Sequence, residues 1–267
     1  MIVFSVIVVS LNTKKDFIKT TNSIFSQRSK KYETIIIDGK SIDGTVDLIK
    51  KFKYKKNVKS LIEKDTGIYD AMNKGIKIAK GKWIIFMNSG DIFYNKHVLK
   101  VIEKKLDDKI DVFFGNTIIK KYNLLYRHSS KLINKTTYKM PFSHQCTITK
   151  SHVMKKNLFN TKYKISSDFD FFLKIYKNKK KFKKINKPIV ISQGGGLSDS
   201  NRLKVFYENL NILKKRKFQN KKKIILSIFF FQIIFTKIIK FILPNIIIQS
   251  VVKMKHTKIS RNSYVKQ

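Results

Sequence analysis

Four places in this chain set an acidic side chain at or near the boundary of an element the sequence predicts. They are Asp38 in YETIIIDGKSIDGT, Asp65 in EKDTGIYD, Asp91 in WIIFMNSGD and Asp168 in ISSDFDFF. Only 17 of the 267 residues are Asp or Glu, so these positions are informative. A carboxylate at a strand's end can accept a hydrogen bond from a nucleobase or ribose, as Asp38 could. It can hold a divalent cation that bridges a diphosphate, as Asp91 could, because hard cations take oxygen ligands. Each has a plainer alternative. Asp38 could cap the turn that follows it. Asp65 could cap the next helix, and Asp91 could close a turn or cap a helix starting near Asn95. Asp168 and Asp170 stand where Ser-Ser-Asp before an aromatic run makes good helix-start chemistry.

The elements that must position these groups are legible in the hydrophobic pattern. Ile2–Ser10 is a β-branched run of the kind buried on both faces of a parallel sheet. Lys14–Gln27 reads as a helix, Tyr32–Asp38 as a second strand, Asp43 to about Phe52 as a helix and Val58–Glu63 as a shorter strand. Ile68–Ala79 has helical spacing, with Gly81 as its stop, and Trp83–Met87 is the next strand. Alternating units with short links predict an open, mostly parallel α/β sheet. Ligands collect at the carboxyl ends of such strands, where Ser10, Asp38 and Asp91 all fall. The second half is less regular. Strands are expected at Asp111–Gly115, Thr117–Tyr122 and Lys187–Ser192, and helices from near Asp168 and over Asn201–Lys217.

Several classes are excluded. The turn after the first strand is SLNTKKD, without the glycines of a dinucleotide fingerprint, and there is no P-loop. One cysteine, Cys146, and five scattered histidines argue against a zinc site and preclude an internal disulfide. The apolar N-terminus lacks a basic flank and a cleavage site, and reads as a strand rather than a signal peptide. The charge is extreme: 58 Lys and Arg give a net +41 and a pI of about 10.2. That field attracts polyanions. The lysines, isoleucines and asparagines together also fit an AT-rich coding bias. A nucleic-acid-binding protein is therefore one reading, but no nucleic-acid module is recognisable and the strand-end acids oppose it.

The tail differs. Ile224–Phe235 and Phe241–Val252 are apolar, separated by Thr236, Lys237 and Lys240 and flanked by Lys221–Lys223 and Lys253–Lys255. Neither stretch reaches the roughly 20 residues that span a bilayer. The expectation is a helical segment in the membrane interface with its lysines on lipid phosphates; the alternative is a buried helical pair or a dimer contact. The division expected is a catalytic domain over 1–200 and a basic, hydrophobic helical extension over 201–267.

In order along the chain, SVIVVSLN, IIIDGKSIDGT, DTGIYDAMNKGIKIAKGKWIIFMNSGD and ISSDFDFF strongly resemble the family 2 glycosyltransferases of the GT-A fold, and most of all bacterial enzymes that build surface polysaccharides of the colanic acid, O-antigen or capsule type. The resemblance covers about Ser5 to Ser198. It implies an inverting transfer from a nucleotide-diphosphate sugar, taken as a UDP-sugar, to a lipid-linked or lipopolysaccharide-type acceptor at the cytoplasmic face of the cell membrane. Ser10 and Leu11 would then line the nucleotide pocket, Asp38 would take the base, and Asp43 would sit in the supporting turn. Asp65, Asp70, Asn73 and Ser89 would border the donor sugar and diphosphate. Asp91 matches the last acid of the family's metal-binding D-x-D element, here reduced to Asn-Ser-Gly-Asp, and would hold Mg2+ or Mn2+. Asp168 matches the catalytic base, with Asp170 in reserve because Ser167 stands where the family often has Glu. His144 and Gln145, in FSHQCTI, would face acceptor or diphosphate. GGGLS at Gly194–Ser198 would be an acceptor-side lid or a simple turn. A catalytically silent scaffold relative is the remaining alternative.

Overall fold

The computed structural model describes residues 1–217 except 53, 122–123 and 135–136, together with 230, 231, 234, 235 and 250. Of the extension expected over 201–267, residues 201–217 are described, and its apolar stretches 224–235 and 241–252 lie outside the described residues apart from those few. Among the described residues no helix is long and apolar enough to cross a membrane.

The first half follows the pattern read from sequence. It runs β1 (Phe4–Ser10), α1 (Lys14–Phe25), β2 (Tyr32–Asp38), α2 (Thr45–Lys51), β3 (Val58–Ile62), α3 (Ile68–Ile78) and β4 (Trp83–Asn88). β1 and β2 are buried along nearly their whole length, as strands covered on both faces must be. β1 pairs in parallel with β2 and β4, and β2 with β3. The register sets Ser10 opposite Asp38, and Val9 opposite Asn88. Three strand ends thus lie side by side at one edge of the sheet. Gly81 lets the turn into β4 pass β1, since a Cβ there would lie 2.5 Å from the Ser5 backbone nitrogen.

The second half corrects the expectation of a mostly parallel sheet. Its elements are β5 (Ile92–Phe93), α4 (Val98–Glu103), β6 (Val112–Lys121), β7 (Leu124–His128), a 3-10 turn (His144–Cys146), β8 (Thr147–Lys150), α5 (Ser151–Lys156), α6 (Ser167–Lys177), β9 (Phe182–Gln193), α7 (Leu197–Ser200) and α8 (Arg202–Lys215). The nine strands form one sheet in the order β3-β2-β1-β4-β8-β6-β9-β5, with β7 on β6. β8 is antiparallel to both β4 and β6, and β5 is antiparallel to β9, so the sheet is mixed. Where two strands were predicted around Gly115 there is one, β6, with an irregularity. Its register against β9 shifts between Phe114 and Thr117, at the point where Asn116 faces Pro188. Proline has no N–H for the ladder, so the pairing slips there.

Helices cover both faces. One core cluster joins the sheet to α3, α5, α6 and α8 through a chain of aromatic rings; Phe142 lies 4.7 Å from Phe114 and 5.1 Å from Phe172 between centroids. The other joins the opposite face to α1, α2 and α4. α8 contributes Phe206, Ile212 and Leu213 to the first cluster, and the Phe230 ring packs 5.3 Å from Phe206.

Candidate active site

The carboxyl edge of β1, β2 and β4 carries the first group of side chains. Asp38 is fully buried at the end of β2; its two oxygens accept the Ser41 N–H and O–H, each at 2.7 Å. The turn-capping role is therefore realised, and a nucleobase donor meets Asp38 only through its remaining lone pairs. Ser10 Oγ lies 3.1 Å from Thr13 Oγ1. Leu11 is half exposed, and Asp65 lies over Gly39, where an added Cβ would meet Asp65 Oδ2 at 2.6 Å and Leu11 Cδ1 at 3.1 Å. Leu11 and Asp65 thus both lie against the Gly39 backbone. Asp43 accepts the Lys14 N–H at 2.7 Å and the Thr45 hydroxyl at 2.6 Å, and these bonds, the Thr45 hydroxyl first, hold its carboxyl below the usual range.

α3 begins three residues after Asp65. Its N-cap is Gly67, with no side-chain cap, and Asp65 instead accepts the Gly67 N–H at 2.9 Å. Asp70 reaches back to the Thr66 N–H at 3.0 Å, as an acid in the first turn can. Asn73 is committed within the fold: both halves of its amide pair with the Phe159 backbone at 2.9 Å.

The second group surrounds the end of β4. Thr20 of α1 ties the turn down, donating to the Asp91 carbonyl at 2.8 Å and accepting the Gly90 N–H at 2.9 Å. Gly90 has φ +102°, which favours glycine. The helix-capping alternative for Asp91 is not realised, because Ile92–Phe93 follows as a strand and α4 begins only at Val98. Asp91 is 5% exposed, and its carboxylate takes the Asn88 N–H at a long 3.2 Å. Burial pushes its pKa up to about 7, against the opposing pull of His144, the Gln145 amide and the Asn88 N–H. Ser89 is held by the Val9 carbonyl at 3.2 Å.

His144 links the two ends of the site. Its Nδ1 lies 3.3 Å from Asp168 Oδ2, and its Nε2 lies 3.3 Å from Asn88 Nδ2. The neutral tautomer with a proton on Nδ1 suits both contacts, donating to Asp168 and accepting from Asn88. That orientation leaves Asn88 Oδ1 buried without a partner. Cys146 anchors the turn carrying His144 by contacts to Thr117 Oγ1 at 3.0 Å and the Asn116 carbonyl at 3.2 Å. Burial pushes the thiol up to about 12, so it acts as a packed, protonated group.

α6 delivers Asp168 from the other side. Its Oδ1 accepts the Phe169 N–H at 2.8 Å and lies 3.1 Å from the Tyr69 hydroxyl, leaving Oδ2 toward His144. Asp170 is committed elsewhere, in a bidentate pair with Arg216 at 2.8 Å for both bonds. Of the two acids in this motif, only Asp168 meets the other site residues. The Gly194–Ser198 stretch leads directly into α7, Gly195 donating its N–H to Asp199 at 2.9 Å.

Sequence reasoning missed Tyr69, Thr20 and the acceptor role open to Asn88. Among the described residues no group of three or more His, Cys, Asp or Glu could hold a metal ion alone. Asp91 and Asn88 Oδ1 nonetheless fit a cation that draws its other oxygens from phosphate and water. One is a buried carboxyl with few donors, the other an acceptor with none.

A sheet whose parallel strand ends gather polar and acidic groups, with a further acid brought in from a helix, presents those groups where open α/β sheets bind their ligands. Residues 5–185 match the family described as Glycosyl transferase family 2, and the chain belongs to that family. It is a glycosyltransferase. Relatives include a PGL/p-HBAD biosynthesis glycosyltransferase of Mycobacterium bovis, 26% identical over 214 residues, covering 78% of this chain and 83% of that protein. Another is the UDP-Glc:alpha-D-GlcNAc-diphosphoundecaprenol beta-1,3-glucosyltransferase WfaP of Escherichia coli, 32% identical over 117 residues, covering 44% of this chain and 47% of that protein. Among solved structures, S. aureus TarS 1–349 in complex with UDP superposes with a TM-score of 0.61 at 22% identity, covering 80% of this chain. The chain spans 65% of that structure's length. Mannosyltransferase PcManGT of Pyrobaculum calidifontis, in complex with GDP-Man and Mn2+, gives 0.59 at 16% identity, covering 84% of this chain and 68% of that one. These likenesses establish a GT-A-like fold.

Proposed function

We propose that this chain transfers a sugar, with inversion, from a nucleotide-diphosphate sugar to a lipid-linked glycan acceptor in surface polysaccharide synthesis. The observation that carries this reading is the Asn88–His144–Asp168 chain, which joins the end of β4 to a carboxylate aimed across the site. The nucleotide lies against Leu11, Gly39 and Asp65, and the diphosphate reaches toward Ser89 and the Asn88–Asp91 turn. UDP is the nucleotide favoured, because WfaP is named for a UDP donor and TarS was solved with UDP. The lipid-linked acceptor rests on the name of WfaP.

Asp168 Oδ2 takes the proton of the acceptor hydroxyl as that oxygen attacks the anomeric carbon. One C–O bond forms while the bond to the donor's phosphate oxygen breaks, and the electron pair leaves on the nucleoside diphosphate. A single displacement inverts the anomeric centre, through charge build-up like that in glycoside hydrolysis. Asp91 and Asn88 Oδ1 would hold Mg2+ or Mn2+, which when bound supplies Lewis-acid stabilisation of the departing diphosphate. His144 keeps Asp168 oriented until the acceptor hydroxyl replaces the imidazole N–H at Oδ2. The basic apolar tail would place the enzyme at the inner face of the membrane, where a lipid-linked acceptor lies.

Incubation with a panel of UDP-, GDP- and dTDP-sugars and Mn2+ should release nucleotide from one UDP-sugar in the presence of a polyprenyl-diphosphate glycan. Release that is undiminished in both Asp91→Ala and Asp168→Ala would overturn the assignment of the site.

A further inference from the structure

The first turn of α6 is held from behind by α8. Glu208 of α8 accepts three consecutive backbone N–H groups: Lys164 at 2.9 Å, Ile165 at 3.0 Å and Ser166 at 2.8 Å. Ser166 is the N-cap of α6, and Asp168 stands two residues on. The Ile165 peptide is pinned on its other side as well, because its carbonyl accepts the buried Tyr69 hydroxyl at 2.6 Å. The same hydroxyl lies 3.1 Å from Asp168 Oδ1. Arg216, two turns along α8 from Glu208, grips Asp170 with two bonds of 2.8 Å. The loop and first turn that present Asp168 are therefore bracketed by α8 on one side and Tyr69 on the other.

A carboxylate on three N–H groups forms charge-assisted bonds, which are stronger than neutral ones. All three converge on one short stretch of backbone, outside any strand of the sheet. We propose that Glu208 and Tyr69 are positioning residues for Asp168, so that the helix leading into the C-terminal tail sets the aim of the base. This rests on the reading of Asp168 as the general base. Catalytic groups must sit near attack geometry, and a displacement of about 1 Å can cost ~100-fold in rate.

The test is kinetic, on the full chain with donor, Mn2+ and acceptor. Glu208→Gln keeps the side chain's size and removes its charge; Tyr69→Phe removes only the hydroxyl. Glu208→Gln should lower kcat by ~100-fold and Tyr69→Phe by ~10-fold. Nucleotide Kd by calorimetry should stay within twofold of the parent in both, and circular dichroism should show the parent fold. Combining Tyr69→Phe with Asp168→Asn should then cost no more than Asp168→Asn alone, because residues acting as one unit are non-additive. Unchanged kcat in both variants, or equal losses in kcat and nucleotide affinity, or full additivity with Asp168→Asn, would overturn the positioning role. Full activity of Asp168→Asn itself would instead overturn the base assignment, and the positioning role with it.

Discussion

The two ends of the same parallel strands each bury a carboxylate, and they treat it in opposite ways. At the amino end, Glu33 of β2 is 1% exposed. It takes the Ser5 hydroxyl at 2.7 Å, the Lys59 ammonium at 2.7 Å, and the Lys80 and Gly81 N–H groups at 2.6 and 3.2 Å. Burial alone would raise its pKa, but Lys59, Ser5 and Lys80 together outweigh that and hold it below its ordinary value. At the carboxyl end, Asp91 is buried to a similar degree and finds a long bond to Asn88, the Gln145 amide and a neighbouring histidine. Its pKa rises to about 7. Both groups are shielded from water. What separates them is the supply of donors: Glu33 is given four within the chain, whereas Asp91 is left short of them, as the metal ligand proposed above would be.

The largest consequence is for catalysis. Asp168→Ala, at the incomplete end, should slow transfer by roughly 10²–10⁴-fold, the range ordinarily contributed by a general base. Donor binding, followed by calorimetry with a UDP-sugar, should stay within a few-fold, since the nucleotide site proposed above lies at Leu11, Gly39 and Asp65 rather than at Asp168. A matching fall in donor affinity would mean that Asp168 binds the donor rather than acting on the acceptor.

The next effect belongs to the complete end. Glu33→Gln should cost about 2–3 kcal/mol of stability at pH 7, measured by denaturant unfolding. The figure lies below the 3–5 typical when one partner of a fully buried pair is removed, because the Lys59 side chain is 38% exposed. The folded pKa of Glu33 is depressed, so its contribution is present above the unfolded value of about 4.5 and is lost as the pH falls through the folded one. The penalty of the variant should shrink accordingly in acid. Turnover per folded molecule should match the parent, since Glu33 lies at the far end of the sheet.

Much of the contrast between the two ends could be read from sequence, and the reasons it stopped are physical. The parallel half was legible because buried strands and one-sided helices leave period-specific patterns: the strand ends Ser10 and Asp38 fell where expected, and β4 runs one residue past the expected Met87. The mixed half was not. Antiparallel β8 and the twelve-residue β9 around Pro188 are defined by partners distant in the chain, which a local pattern does not encode. The candidate site divides the same way. Asp91 and Asp168 stood out as acids beside apolar runs, but their link through His144 is a tertiary contact. Asn73 seemed to belong to the donor side because its motif does, whereas its amide is matched to the Phe159 backbone. Glu208 had no signal at all: its carboxylate bonds three backbone N–H groups more than forty residues away.

The smallest expected effect is the sharpest test of the comparison, because its sign is unusual. Replacing a buried carboxyl commonly destabilises, yet Asp91→Asn should stabilise the unliganded protein at pH 8 by about 1–2 kcal/mol, since it removes a charge that burial disfavours. The folded pKa of Asp91 is raised to about 7 from an ordinary 3.8, so the folded state holds on to the proton that the unfolded chain releases. Its favourable contribution is complete below the unfolded pKa and is lost as the pH rises toward and through 7. The advantage of Asp91→Asn should therefore be near zero at pH 4, grow between pH 4 and 7, and level off above it. Unfolding curves of variant and parent in metal-free buffer across that range measure it directly, because titration of the other carboxylates cancels in the difference. Adding Mn2+ with UDP should reverse the order at pH 8, since a ligand that binds only the native parent raises its stability in proportion to occupancy. A variant less stable than the parent at pH 8 without metal would place Asp91 with Glu33, as a structural carboxylate already completed by its neighbours.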